Sequence, residues 1–400
     1  MLNFEWETPT KIIFGQGCLN RLGTETSRWG KKVLLVYGKN SIKDTGIYPV
    51  IKEQFAAASI QVTEHAGVKP NPILSHTEEG ARKARDAGVE VIVAVGGGSV
   101  IDESKGIAVG ACHAEPLWDF YLRKLPVRKA LPLIAVQTFP ATSSELNQVS
   151  VLTNDRTGEK FSVRSNEIFP KVTFLDPTLT LHIPIQQTAY AVTDMLSHLM
   201  EGYFTQTRDF PVQDGLVEGM SRALMGAMET LLQDPTNLDA RSDLMWAGAW
   251  AWNGLLKAGV EGASIPNHML EHPLSGLYDI PHGAGLSIII TAWLRYKKWE
   301  VAPRILKFGK DILGLSDLPP HRHDIPKSER KSYEIAVDRV IQELVAWYRK
   351  IGTPTTLHEA KISHIDFGKL TEQALALCRL WGISGYTTED ISAIYHLAEK

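Results

Sequence analysis

The strongest constraint on the fold is a change of period near residue 180. Before it, short runs rich in β-branched residues recur, each ended by Gly or Pro: "KVLLVYG", "IQVTEHAG", "VEVIVAVGGG", "LPLIAVQTFP" and "VTFLDP". Helix-like stretches such as "ILSHTEEGARKARDAG" separate several of them. That alternation predicts an α/β domain with a mostly parallel sheet. "VSVLTNDRTGEKFSV" departs from it, with two alternating runs around a polar turn, and predicts a hairpin. Beyond "LDPTLTLHIP" the strand signal fades. Apolar residues of helical spacing follow over 184–205, 211–233, 239–258 and 328–350. The expected architecture is an α/β N-terminal dinucleotide-binding domain, residues 1–180, followed by an all-α C-terminal domain, residues 181–400. No repeat of solenoid length is visible.

Composition narrows the chemistry. A chain of 400 residues is long enough for about two domains. Its net charge of −3 offers no footprint for nucleic acid. No run of about 18 apolar residues predicts a membrane span. "MLNFEWETPTK" lacks the basic and apolar regions of a signal peptide. Cys18, Cys112 and Cys378 are odd in number and far apart, which argues against disulfides and thiolate zinc sites. A reducing cytoplasm is the expected compartment. Any metal must then be held by nitrogen and oxygen.

In "VIVAVGGGSVIDESKGIAVGA" a buried-type strand meets Gly96-Gly97-Gly98-Ser99 and then a helix. Glycines allow close backbone approach, and the free N–H groups of the helix favour an anion such as pyrophosphate. A tight turn needing positive φ is the alternative. The motif is neither G-x-G-x-x-G nor a Walker loop, so it signals nucleotide or phosphate without choosing a cofactor. "FPATSSE" adds the hydroxyls of Thr142, Ser143 and Ser144 at another strand end, where helix capping is the plainer use.

Asp194 and His198 lie one turn apart on a strongly helical stretch. His268 and His272 are also one turn apart, on a short helix that Pro273 and Gly276 are expected to end, and a loop then leads to His282. A carboxylate and an imidazole can simply hydrogen-bond. Five such groups point instead to a divalent metal, Fe2+ or Zn2+. One carboxylate and three neutral imidazoles would leave the site positive, as a Lewis acid requires. Spacing does not say which of the three later histidines stands outside the shell, although His268 and His272 form the natural pair. The Pro-rich stretch 316–329, with His321, His323 and Asp324, reads as a solvated loop.

With these residues in view, the chain resembles the iron-containing (group III) alcohol dehydrogenase family. It is most similar to the branch of NADP(H)-dependent butanol dehydrogenases and broad aldehyde reductases. The resemblance runs from "TPTKIIFGQG" through "GGGSVID", "TFPATSSE" and "LDP" to "HMLEHPLSGLYDIPHGAGL". It implies a dehydroquinate synthase-like architecture and metal ligands at Asp194, His198, His268 and His282. His272 would then stand beside the metal, near the nicotinamide, as a proton relay or positioning group. The implied nucleotide contacts are Asn71, Gly97, Gly98, Ser99, Asp102, Thr138, Thr142, Lys160 and Leu179, with Ser144 in the same strand-end loop.

Two departures from the family pattern matter. Ser143 replaces a glycine, which is expected to add a side chain near the phosphates. After the first long strand the chain reads Gly38-Lys39-Asn40-Ser41 where that branch often has "GGGS". A carboxylate at such a strand end would hold a ribose 2′-OH and repel a 2′-phosphate. Gly38 removes it, while Lys39, Ser41 and Lys43 can attract a phosphate. NADP(H) is therefore the expected cofactor.

The expected reaction is reversible hydride transfer between NADP(H) and short- to medium-chain aldehydes or alcohols. The substrate pocket is expected between the domains, with Trp252, Leu256 and Trp293 as wall candidates, though plain core is the stronger reading for each. A homodimer is a family expectation. The rivals are an NAD-dependent polyol dehydrogenase of the glycerol type, a dehydroquinate-synthase-like lyase and a non-catalytic, metal-stabilised binding protein.

Overall fold

The alternation before residue 180 resolves into a six-stranded sheet in a computed structural model that describes residues 1–39, 41–322 and 324–400. Asn40, His323 and the side chain of Ser41 lie outside the described residues. The strands are β1 (Lys11–Phe14), β2 (Lys32–Tyr37), β3 (Gln61–Ala66), β4 (Val91–Gly97), β5 (Leu133–Phe139) and β8 (Val172–Leu175). They lie in the order β1-β8-β5-β4-β2-β3, and all pairings are parallel. β6 (Val149–Thr153) and β7 (Lys160–Arg164) form the expected antiparallel hairpin.

Uninterrupted apolar runs are what a sheet covered on both faces demands. Val33, Leu35, Val93, Val95 and Val136 join one core with Ile51 and Phe55. Leu34, Val36, Ile92, Ala94 and Ala135 alternate to the other face, against Ile101, Ile107 and Ala108. From β2 the chain moves outward to β3; from β4 it moves the opposite way, to β5. The carboxyl ends of β2 and β4 therefore flank a topological switch point, where open α/β sheets bind ligands. Gly38 and the Gly96–Gly98 turn stand there.

The chain divides into two units, but not at one cut. Residues 7–184 and 234–253 form the α/β unit, and residues 1–6, 185–233 and 254–400 form the helical unit. The helix Leu238–Trp250 therefore leaves the 181–400 half expected from sequence. Its Met245 and Ala249 pack with Leu146 and Leu175 of the α/β unit. Among the described residues, the helical unit contains no strand.

Two local expectations in that unit are corrected. Pro273 does not end its helix, which runs over Pro266–Tyr278 and stops at Asp279 in the left-handed region (φ 50°). A proline removes one N–H, and the buried Leu270 and Leu274 hold the helix across it. His282 is not a loop residue either. It is the first residue of the helix His282–Lys297, after Pro281 at the N-cap.

Candidate active site

Asp194 and His198 project from one face of the helix Ile185–Thr205, as their spacing requires. Pro266–Tyr278 and His282–Lys297 bring His268 and His282 to the same point. Asp194 Oδ1 lies 3.4 Å from His268 Nε2, 3.7 Å from His198 Nε2 and 3.8 Å from His282 Nε2. These separations are longer than good hydrogen bonds but suit donors arranged around a common ion. The His198 and His268 rings stack at 4.4 Å.

Two carboxylates that the sequence reading missed orient the rings. Glu201 accepts from His268 Nδ1 at 2.5 Å and from the His268 backbone N–H at 2.8 Å. Glu271 Oε2 lies against His282 Nδ1, and Ser275 Oγ donates to its Oε1. Both glutamates are fully buried. A proton held on Nδ1 leaves the Nε2 lone pair for a cation, so this donor set fits a divalent metal. Gly285 makes room for Glu271: a Cβ there would stand 2.4 Å from Glu271 Oε1. The missed signal was spacing. Glu201 is three residues beyond His198, and Glu271 three beyond His268.

The cluster's own field shifts its titrations. Burial alone would raise the Asp194 pKa, but His198, His282 and His268 outweigh it and lower it to about 2. Burial pushes His198 well below the ordinary imidazole value. Burial also opposes charge on His268, yet Glu201 and Asp194 raise its pKa to about 9.

His272 stands beside this centre. Its ring meets His282 edge-on at 5.7 Å, His268 at 6.4 Å and Trp381 at 5.1 Å. His321 is remote from it in sequence and pairs with Asp209 at 3.5 Å. Of the pocket-wall candidates, Trp293 is buried and donates to Tyr386 at 2.7 Å, Leu256 is buried, and Trp252 is half-buried in the α/β unit.

The nucleotide candidates gather in the α/β unit. β4 ends at Gly97, and the helix Gly98–Cys112 begins at once, so its first N–H groups have no partner within the helix. A Cβ on Gly98 would stand 2.3 Å from Thr142 Oγ1, and one on Gly97 would overlap Phe139. Thr138 and Thr142 are half-buried at the next strand end. Lys160 Nζ donates to Asn71 Oδ1 at 3.0 Å, and Asn71 sits in the left-handed region (φ 53°). Leu179 packs on the sheet core. Lys39 is exposed, while Lys43 Nζ lies over the Tyr37 and Tyr48 rings.

Three residues of this set behave differently from expectation. Ser143 keeps the backbone of the glycine it replaces (φ 53°), but its hydroxyl turns from the cradle. It donates to Gly248 O at 2.5 Å and accepts from the Trp252 N–H at 2.8 Å. Ser144 and Asp102 are buried in each other: Ser144 Oγ donates to Asp102 Oδ1 at 2.5 Å, and the Val151 N–H donates to Oδ2 at 3.1 Å. Their side chains brace the loop against the helix.

The family description "Iron-containing alcohol dehydrogenase" matches residues 9–177, and its C-terminal counterpart matches residues 188–398. A Bacillus subtilis protein named "Probable NADH-dependent butanol dehydrogenase 1" is 35% identical over 394 residues, 98% of this chain and 99% of its own. An NADPH-dependent aldehyde reductase of Escherichia coli is 30% identical, over 90% of this chain and 89% of its own. A solved NADH-dependent butanol dehydrogenase A from Thermotoga maritima superposes with a TM-score of 0.93 at 34% identity, covering 100% of this chain and 99% of that one.

Proposed function

The chain belongs to the iron-containing alcohol dehydrogenase family, and on that premise we propose that it reversibly reduces short- to medium-chain aldehydes with NADP(H). The observation that carries the reading is the convergence of three imidazole Nε2 atoms on Asp194, two of them backed by glutamates. Asp194, His198, His268 and His282 would hold one divalent ion, Fe2+ or Zn2+. When bound, that ion supplies Lewis acidity to a carbonyl oxygen, and the nicotinamide supplies hydride.

The chain's own residues do the rest. Glu201 and Glu271 hold the Nδ1 protons and fix the ring orientations. Asp194 contributes the negative charge that retains a cation. His272, beside the cluster, holds or passes the proton that the product oxygen needs. Gly97, Gly98 and Ser99 present backbone N–H groups to the pyrophosphate, with Thr138, Thr142, Asn71 and Lys160 around the rest of the cofactor. Ser144 and Asp102 support that cradle from behind.

The NADP(H) preference rests on the end of β2, where Gly38 and the exposed Lys39 stand in place of a carboxylate. The relatives named NADH-dependent favour the opposite choice. Comparing kcat/KM for NADPH and NADH on butanal decides: a clear NADH preference overturns the cofactor reading. Failure of the metal-loaded protein to reduce any aldehyde of a panel with either cofactor overturns the reaction. His272→Ala should keep its metal and lose kcat or shift its pH profile; if it comes out metal-free while His282→Ala does not, the two roles are exchanged. A cytoplasmic homodimer completes the reading. The three cysteines, free of disulfides, agree with that compartment, and size-exclusion chromatography tests the dimer.

A further inference from the structure

The α/β unit holds a further cluster of side chains of the types that ligate metals, which neither the sheet core nor the nucleotide cradle uses. His65 stands near the end of β3, His76 on the helix Leu74–Asp86 and Glu103 on the helix Gly98–Cys112. His65 and Glu103 are fully buried, and the His76 side chain is 22% exposed. Glu103 Oε1 lies 3.1 Å from His65 Nε2 and 2.6 Å from His76 Nδ1. The two rings stack at 4.1 Å with 28° between their planes, so both nitrogens reach the same spot. A Cβ on Gly80 would stand 2.5 Å from Ile107 Cδ1 and 2.9 Å from His65 Nε2, so a glycine is needed where the helix Leu74–Asp86 passes the cluster.

One shared proton accounts for part of this arrangement: a protonated His76 would pair with Glu103 Oε1. It does nothing for Glu103 Oε2, which is sealed from solvent without a hydrogen-bond partner. A carboxylate shut away from water with one oxygen unmet is an expensive arrangement in an otherwise well-packed sheet face. A cation between the three groups would engage the whole carboxylate.

We propose that His65 Nε2, His76 Nδ1 and the Glu103 carboxylate bind a second divalent transition-metal ion of the zinc type: Zn2+, Co2+ or Ni2+. Two imidazoles and a carboxylate form a borderline donor set that suits these ions better than Mg2+ or Ca2+. The three donor atoms already lie within 4.8 Å of one another. Bonds of about 2.0–2.2 Å place tetrahedral ligand atoms roughly 3.3 Å apart. The His65 contact, at 3.1 Å, is close to that spacing, and the His76 contact, at 2.6 Å, has to open by about 0.7 Å. The partly exposed His76 side chain is where solvent reaches the cluster. Bound there, the ion ties β3 to two helices, one of which begins at the Gly98 turn. The site is independent of the Asp194 cluster and of the alcohol dehydrogenase reading.

The test counts metal. Protein stripped with a chelator is reloaded with Zn2+, gel-filtered and analysed for zinc per chain. His76→Ala should bind one ion fewer than the unmodified chain. In a His268→Ala background, Zn2+ should still raise Tm, and adding His76→Ala should abolish that rise. His76→Gln, which can keep the hydrogen bond to Glu103, gives the same reading should the alanine variant not fold. Equal zinc in the unmodified chain and the His76 variants overturns the proposal, as does a Tm in the His268→Ala background that ignores Zn2+. The difference between the unmodified chain and the His76 variants reads this site whether or not His268 ligates an ion.

Discussion

Each unit buries a polar centre, and the two are resolved in opposite ways. In the α/β unit, Lys105 is fully enclosed, and its Nζ shares its three N–H donors among five acceptors at 2.7–3.0 Å: Ser144 O and Oγ, Asn147 O and Oδ1, and Val149 O. Its charge is met by oxygens of the same unit, with Asp102 and Glu145 nearby. In the helical unit, three imidazole nitrogens face one carboxylate oxygen at 3.4–3.8 Å, too far apart to bond well to one another. The Lys105 ammonium is met by acceptors of the chain itself and serves as a brace. The second centre brings its donors together without joining them, which is the geometry the metal proposal rests on. A buried polar network that closes on itself rigidifies a core, while buried groups held apart call for a further partner.

The comparison breaks most sharply at His268. His268→Ala should remove the ion of the Asp194 cluster, one metal equivalent per chain, together with activity, while the chain stays folded. Metal analysis alongside aldehyde reduction checks this. Full metal content in the variant would place the ion elsewhere.

Lys105→Met should do the reverse. It strips a cation from five acceptors and leaves Asp102 and Glu145 without it, a loss of about 3–5 kcal/mol for a broken buried charge network. Urea unfolding should show the loss, and metal content should not change. A neutral result would mean that the loop 142–149 stands without its brace.

Glu201→Gln sharpens the other side. The amide still fills the space beside His268 Nδ1 but carries no charge to hold its proton. Metal affinity should fall about 10- to 100-fold, the usual effect of losing such an outer partner. A competition titration with a chelating dye measures it.

How much of this was legible in sequence follows from range. The long strands β2, β4 and β5 announce themselves because both faces are buried and their runs are uninterrupted. β1 does not: it has four residues at a sheet edge, only one of them buried. Asp194 with His198 is readable because a helix turn is local. The choice among His268, His272 and His282 is not, since it depends on how two helices meet. Spacing alone favoured His268 with His272; the structure turns His268 and His282 toward Asp194 and leaves His272 at their edge. The helix Leu238–Trp250 looks like its neighbours in sequence, and only packing assigns it to the α/β unit.

The last expected effect is a slope with pH. Burial pulls the Lys105 pKa down from its ordinary 10.5 to about 8, against the Asp102 and Glu145 charges that hold it up. Between those two values the unfolded chain binds a proton that the folded chain has released. Unfolding free energy therefore rises with pH across that window, and below it the desolvation of the cation is borne in full. Lys105→Met has no such proton. The stability gap between the unmodified chain and Lys105→Met should widen from pH 8 to pH 10.5, while the gap for His268→Ala, stripped of metal, should not follow that window. Urea midpoints of all three proteins at pH 7.5, 9 and 10 read the slope. A constant gap for Lys105→Met would show that its five acceptors keep the lysine charged throughout, making the brace stronger than its burial implies.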